Sequence, residues 1–508
     1  MKRYKHSLSN YSLLTMDMGK LVPIGLQEVL PGDTFQQASS ALIRFSPQLA
    51  PVMHPVTVRI HHWFVPHRLT MEANGKNWEP FITGGSDGLG EGQSLPTNAA
   101  TFTPAVSGLA DYLGLPATIV LPIGTVSMLP FYAYTLIFNE YYRDQDLGAA
   151  RAITTASAAN DVVENVSWEK DYFTAARPWT QKGPAVSLPI GTSATVKTSS
   201  TELITSGTNF DMKVRRTTGN AVPTADRALS TGGAGVFAES GNAATGVNGL
   251  YPSNLYADLS TATAATVNAV RQAFALQRYQ EARAQYGSRY TEYLRYIGVR
   301  PSDARMSKPE YLGGGKQTVA FSEVLRTGNV TADATPNVIG QLKGHGIAAL
   351  RSNRYRYFAE EHGYIMSLMS IRPKSIYVNG IERMWLKRTK EEFFQKELEL
   401  IGQQAITNAE VFAGAVDATN KLVFGYQDRY SEYRHTASSV HGEFRTTLDF
   451  WHLGRKFGAL PTLNQAFVDC VPGKRIFAEQ TANSCWVMVN HNIQARRMVG
   501  KNTIGRAI

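Results

Sequence analysis

Residues 351–358, Arg-Ser-Asn-Arg-Tyr-Arg-Tyr-Phe, interleave guanidinium groups with aromatic rings. Guanidinium groups hold phosphates and rings stack on bases, so this mixture suits single-stranded nucleic acid bound without sequence preference. A solvated strand or a subunit interface explains it equally well. Both chain ends are also basic: Lys2, Arg3 and Lys5 at the start, Arg496, Arg497, Lys501 and Arg506 at the end. Candidate DNA contacts are therefore Arg354, Tyr355, Arg356, Tyr357, Arg496, Arg497, Lys2, Arg3 and Lys5, with the two tyrosines as stacking partners.

Other groupings fit chemistry less well. His54, His61, His62 and His67 crowd one span, but adjacent strand residues point to opposite faces, so His61 and His62 cannot easily share an ion. Gly313-Gly314-Gly315-Lys316-Gln317 has the look of a phosphate loop. Glu310 stands where the first glycine belongs, and Gln317 where a metal-binding hydroxyl should follow the lysine. Glycines between Gly84 and Gly92 lack the flanking strand and helix of a dinucleotide site and read as a flexible loop. Glu360-Glu361-His362 could pass for an acid/base cluster, but neighbouring carboxylates are common in exposed turns. Cys470 and Cys485 show no metal-type pairing and are expected as reduced thiols. No cofactor is indicated. A structural Ca²⁺ held by loop aspartates such as Asp87 is conceivable, yet no loop has identifying ligand spacing.

The elements that must position these groups read as mainly β. Only 18% of the 508 residues are charged, with 43 Gly, 23 Pro and 23 Tyr, which suits a loop-rich β-protein. Leu21, Val22, Ile24, Leu26 and Val29 supply one strand, and Pro31-Gly32-Asp33 a turn, since Pro fixes φ and Gly accepts φ > 0. Val56, Val58, Ile60 and Phe64 follow the period-2 pattern of a half-buried strand. Further strand-like blocks lie at 364–386, 422–426, 440–450 and 484–491. Residues 130–147 look helical. Thr266 is placed to cap a helix through Ala284, and Thr389, with Glu392 at capping-box spacing, one that includes Phe393, Phe394, Leu398 and Ile401.

No linker is evident, so a single domain over 1–508 is expected. It has a basic arm at 1–15, a basic tail at 496–508, and a surface excursion at 184–265 rich in Ser, Thr, Ala, Gly and Asn. No run reaches the ~18 apolar residues of a membrane span. Met1 to His6 is basic but no apolar core follows, so no signal peptide is expected. The net charge of +10 favours a polyanionic partner.

The wording of several blocks resembles the major capsid protein of microviruses, the small single-stranded DNA phages, and the gokushovirus-type members in particular. Leu21-Val22-Pro23, Gln27 to Phe35 and Trp63 to Leu69 open the match. Leu129 to Tyr134, Asn139 to Asp144, Tyr286 to Glu292, Asp303-Ala304-Arg305 and Pro309 to Gly314 follow in the family's order. Glu360 to Ile365 with Ile371-Arg372-Pro373, Tyr426 to Arg434, and Leu460 to Leu463 complete it. The match covers roughly 7–150 and 265–495. The resemblance implies an eight-stranded antiparallel jelly-roll barrel with long inter-strand insertions containing helices. It further implies a non-enzymatic protein that forms pentamers and a T=1 icosahedral shell of sixty copies around circular single-stranded DNA. It makes 184–265 the insertion that projects outward.

Scaffolding, DNA-pilot and small basic DNA-binding phage proteins, and a host cell-surface receptor, are the further partners it implies. Assembly would occur in the bacterial cytoplasm and the protein would reside in the virion. About sixty chains of charge +10 would supply roughly 600 positive charges against one negative charge per nucleotide, so other cations must contribute. Two other classes fit the residues less fully: a single-stranded nucleic-acid-binding protein, from Arg351 to Phe358, and a carbohydrate-active β-sandwich enzyme, from the Trp and Tyr content. The latter would need a carboxylate pair in a cleft, and none stands out.

Overall fold

The computed structural model describes residues 3–83, 90–155, 160–183, 267–286, 307–327 and 340–500, with short strands between 195 and 258. The chain divides into two compact units, where the sequence led us to expect one domain. One unit comprises Met1–Thr180 and Arg283–Ile508; the other is Gln181–Ala282, enclosing the 184–265 excursion. Within the smaller unit, short antiparallel strands between 195 and 258 form a four-stranded and two two-stranded sheets.

Two antiparallel sheets carry the larger unit. Its strands are β1 (Tyr4–Ser7), β2 (Asn10–Met16), β3 (Leu21–Val29), β4 (Thr34–Phe45), β5 (Val56–Pro66), β6 (Glu310–Thr318) and β7 (Ala320–Leu325), followed by β8 (Leu342–Arg351), β9 (Tyr355–Phe358), β10 (Gly363–Pro373), β11 (Gln403–Thr407), β12 (Val423–Asp428) and β13 (Cys485–Arg497). The first sheet runs β6-β5-β10-β3. The second runs β13-β4-β8-β7, with β1 and β2 both on β13 and β9 on β4. In chain order β2, β3, β4, β5, β6, β8, β10 and β13 fall in the second, first, second, first, first, second, first and second sheets. Strands β11 and β12 form a separate two-stranded sheet, to which Arg177 adds a bridge at Tyr426.

Strict alternation produces this arrangement. In β4, Phe35, Gln37, Ser39, Ala41, Ile43 and Phe45 are buried while their neighbours are less so. In β13, Cys485, Val487, Val489, His491, Ile493 and Ala495 are buried, and Trp486, Met488, Asn490, Asn492 and Arg496 are exposed. Period-2 patterning therefore gives these central strands of the second sheet one dry and one wet face. The helix α1 (Leu129–Ile137) is instead apolar nearly all round and buried. It is held by the Tyr134 hydroxyl, which donates to the Leu21 carbonyl at 2.9 Å.

The dry interior is layered. One cluster contains Ile43, Ile60, Met369 and Val489; another contains Phe35, Phe64, Ile365 and Ile493. Between them along the same four strands lie polar residues: Gln37 and Ser39, His62, Ser367, and His491, all buried. His491 Nε2 faces the Ile24 carbonyl at 2.8 Å and so carries the proton, which leaves Nδ1 to accept from Ser39 Oγ at 2.7 Å. His62 bridges Ser367 Oγ at 2.7 Å and Ser352 Oγ at 3.1 Å. The Tyr355 hydroxyl donates to Gln37 Oε1 at 2.7 Å. Gly25 leaves room for the His491 ring, because a Cβ there would sit 2.8 Å from Nε2.

Some local readings change. The helix expected after Thr389 is two 3₁₀ turns, Lys390–Glu392 and Lys396–Ile401, although the Thr389/Glu392 capping box forms. The Tyr430 hydroxyl donates to the Phe393 carbonyl at 3.0 Å and accepts from the Gln395 amide at 3.1 Å, a tertiary replacement for helical bonds. The 440–450 block is also 3₁₀ turns rather than strand, with local bonds from the Thr446 and Leu448 amides to the Glu443 carbonyl. Strand β10 ends at Pro373, and Arg383–Leu386 is a helical turn. The helix Val267–Tyr286 forms as expected, while Thr266 lies outside the described residues.

Burial holds these rings neutral. Desolvation lowers His62 to about 3 and His54, His61 and His67 to about 4, from an ordinary value near 6.5. A depressed histidine gives stability that is complete above the unfolded value and lost as pH falls through the window down to the folded value. At pH 5 each of the four should cost about 2 kcal/mol. Asp469, raised to about 6 by burial, acts in the opposite direction over the same range. Denaturant midpoints should fall steeply between pH 6.5 and 4.5; a flat profile there would contradict the neutral burial of these four histidines.

Candidate nucleic-acid interface

The wet face of the second sheet forms rungs of side chains across four strands. Register places Lys5, Arg496, Thr34 and Phe358 on one rung, and Ser7, Gln494, Gln36 and Arg356 on the next. Farther along come Tyr11, Asn490, Ser40 and Arg351, then Leu13, Met488, Leu42 and Ala349, then Thr15, Trp486, Arg44 and Ile347. No Asp or Glu occupies an outward position of β1, β2, β4, β8, β9 or β13. Arg354, in the turn between β8 and β9, joins this face by donating to Gln36 Oε1 at 2.8 Å. Arg3 joins it by stacking over the Phe358 ring at 5.1 Å.

The expected contacts thus divide. Arg354, Arg356, Arg496, Arg3 and Lys5 are exposed. Tyr355 and Tyr357 point the other way, as strand alternation requires. Tyr355 is buried against His62, ring centroids 5.3 Å apart, and Tyr357 packs on Phe64 at 5.0 Å. Burial raises both phenols well above the usual range. Tyr355 is thereby closed to a base, and the half-buried Tyr357 turns its ring toward the interior.

Arg497 is also committed within the chain. Its guanidinium meets the buried Asp33 carboxylate at 2.9 Å and donates to the Glu28 carbonyl at 2.7 Å. Asp33 in turn accepts from the Leu30 amide at 3.0 Å, closing the Pro31-Gly32-Asp33 turn. The described part of the arm is likewise pinned: β1 and β2 are hydrogen-bonded along β13. Lys2, Lys501 and Arg506 lie outside the described residues. The sequence reading missed Tyr11, Arg44 and Trp486; their alternation with buried neighbours was visible, but the pairing that puts them on this face was not.

The remaining groupings have structural partners. His61 meets the Tyr142 hydroxyl at 2.6 Å on the opposite side of β5 from His62. His54 bonds the Lys374 carbonyl at 2.8 Å, and His67 packs on Trp78 and Tyr364. Among the described residues, no group of three or more His, Cys, Asp or Glu is placed to hold a metal. The glycines before Lys316 belong to β6, where close approach explains them: a Cβ on Gly314 would fall 2.2 Å from the Ile60 carbonyl oxygen. Glu361 pairs with Arg68 at 3.2 Å, and the His362 carbonyl accepts from the His67 amide at 2.9 Å. Burial raises both Cys470 and Cys485 to about 12, so neither is a reactive thiolate.

Comparison with known proteins places the whole chain in one family. The profile of the family described as capsid protein (F protein) matches residues 1–502. The chain belongs to that family. It is 33% identical over 474 residues to capsid protein VP1 of Bdellovibrio phage phiMH2K, covering 90% of this chain and 85% of that one. Capsid protein VP1 of Chlamydia phage 1 is 31% identical, covering 89% and 87%. The Spiroplasma virus 4 counterpart is 30% identical, covering 92% and 87%. The family match also spans the middle of the chain, where the motif reading found little. The capsid protein is a structural component of a microvirus virion that self-assembles into a shell, and the β-sandwich enzyme reading falls away. No helix among the described residues is long and apolar enough to cross a membrane.

The two adjacent arginines of β13 should behave differently. Replacing Arg497 with Gln strands the buried Asp33 charge and should cost about 3 kcal/mol. Arg496→Gln, at an exposed position, should change stability by less than about 0.5 kcal/mol. Chemical denaturation of the two variants side by side checks this; equal midpoints would show that the Asp33 pair contributes nothing.

Proposed function

We propose that this capsid protein forms a T=1 shell of sixty copies around circular single-stranded DNA, with the acid-free face of the second sheet turned to the genome. The observation carrying this reading is that face: at least Lys5, Arg496, Arg356, Arg351 and Arg44 stand on its rungs, with Arg3 and Arg354 joined to it and no carboxylate opposite. Polyanion binding needs no sequence-reading geometry, only such a field. Of the expected contacts, Arg354, Arg356, Arg496, Arg3 and Lys5 retain this role, and Lys2 would extend it.

The fold proposed is an eight-stranded jelly roll with long insertions. Its support is the sheet alternation of β2, β3, β4, β5, β6, β8, β10 and β13, the order of two four-stranded sheets wound together. Residues 184–265 are proposed as the outward, host-facing insertion. Scaffolding, pilot and small basic phage proteins complete the proposed partners, the last supplying positive charge that the shell lacks.

For contacts between copies, we propose the segment 384–401. Leu400 is 92% exposed and Trp385 68%, with Met384, Phe393, Phe394 and Ile401 also exposed. Large apolar groups collected in one exposed segment mark an interaction surface. Trp385→Ser with Leu400→Ser should leave the chain folded but lower particle yield severalfold by sedimentation; unchanged yield would remove this segment from the contact.

DNA contact is tested by changing Arg354, Arg356 and Arg496 to Gln. Subunits should fold and assemble, but particles should retain less DNA. Binding of the free chain to single-stranded DNA should lose about 0.7 log unit of salt dependence per contact removed. Equal DNA content and equal salt slope would mean that the face looks elsewhere.

A further inference from the structure

Beyond phosphate contact, the genome-facing reading raises the question of where unpaired bases go. With Tyr355 and Tyr357 turned inward, the rings still open on this face are Phe358, Tyr11 and Trp486, exposed 47%, 74% and 48%. Phe358 already lies under the Arg3 guanidinium. Tyr11 and Trp486 flank the Leu13–Met488–Leu42 rung, so three successive rungs carry a ring, an apolar row and a ring. Such rungs repeat every ~6.8 Å along the strands. A groove of about 660 Å³ opens over this end, lined by Leu13, Leu42, Trp486 and Met488 and walled by Val106 and Tyr112. That size falls among sites holding a small organic molecule, ~300–1,000 Å³.

Charge favours the same ligand. Arg44 is the direct cross-strand partner of Trp486, which places a cation beside that ring, and Arg351 stands at the far end of the Tyr11 rung, across β13 and β4. Asp111 also lines the groove, but its carboxylate accepts from the Ser107 amide at 2.9 Å. Nearby Asp17 is paired with Lys474 at 2.9 Å and accepts from the Ser484 amide at 2.9 Å.

We infer that this groove and the sheet surface beside it form a base-docking subsite for single-stranded DNA: bases stack on Trp486 in the groove and on Tyr11 one rung beyond Leu13, and rest on Leu13, Leu42 and Met488, while Arg44 beside Trp486 holds a flanking phosphate. The inference rests on the proposed DNA-facing role of the sheet. It differs from general electrostatic contact in requiring the bases themselves.

The test compares two probes on the purified, unassembled full-length chain: an oligothymidylate and an abasic deoxyribose-phosphate oligomer of equal length. Wild type should bind oligothymidylate more tightly. Trp486→Leu and, separately, Tyr11→Leu should each weaken that binding by about 5- to 150-fold, the range for one stacked base. Neither should change binding of the abasic oligomer or the salt slope. Tyr11 is mostly exposed, so its variant remains informative if Trp486→Leu misfolds.

Equal wild-type affinity for the two probes, or variants that bind oligothymidylate normally, would overturn the subsite while leaving electrostatic DNA contact standing. Loss of particle formation in the variants with oligothymidylate binding intact would also overturn it and assign the groove to a second copy of the chain. Absence of salt-dependent binding to either probe would overturn the DNA-facing reading itself.

Discussion

The two-sheet body depends on a polar layer at its centre. His62 and His491, one from each sheet, are joined through Ser39, Ser352, Ser367 and Gln37 between two apolar clusters. A purely apolar interior would tolerate strand slippage by two residues, since alternation alone preserves which face is buried. A slip of two here would push His62 into the Ile60 or Phe64 layer and leave ring nitrogens unpaired. Each unpaired buried polar group costs about 1–3 kcal/mol, and several would be lost together. The polar layer thus specifies register, and register places every outward side chain.

Termini take part in the same constraint. Strand β13 lies between β4 on one side and β1 and β2 on the other, so the two ends of the chain complete one sheet. Arg497 closes the arrangement by reaching the buried Asp33 of the β3–β4 turn. The neighbouring side chain, Arg496, points outward because one residue of a strand reverses direction. Structural and exposed cations therefore sit side by side in sequence with opposite roles.

Much of this was legible in the sequence. The apolar positions of β3 and β5 and the Pro31-Gly32-Asp33 turn predicted structure that is present, because each is a local or period-2 signal. Composition gave no hint that the β1–β2 arm pairs along β13, because pairing across 480 or so residues leaves no local mark. The Arg351–Phe358 run was read as one mixed surface. Alternation divides it, sending Tyr355 and Tyr357 inward and Arg356 and Phe358 outward. The capping box at Thr389 formed without its helix because Tyr430, distant in sequence, supplied the competing bonds.

An acid-free cationic face has an energetic consequence for the assembled state. Exposed like charges on adjacent strands repel, and neighbouring acids would relieve that at little cost, since surface ion pairs are worth about 0–1 kcal/mol. Elsewhere in this chain such pairs are common: Arg59 with Glu169, Lys308 with Glu140 and Lys456 with Asp449. Their absence from the rungs leaves a field that a polyanion neutralises with release of counterions. Self-repulsion also opposes face-to-face stacking of two such sheets, whereas the 384–401 segment mixes exposed apolar side chains with four basic and four acidic ones and carries no comparable net charge. The surface chemistry of the two regions thus differs: an unpaired cationic field on the sheet, and exposed large apolar side chains such as Trp385 and Leu400 in the 384–401 segment.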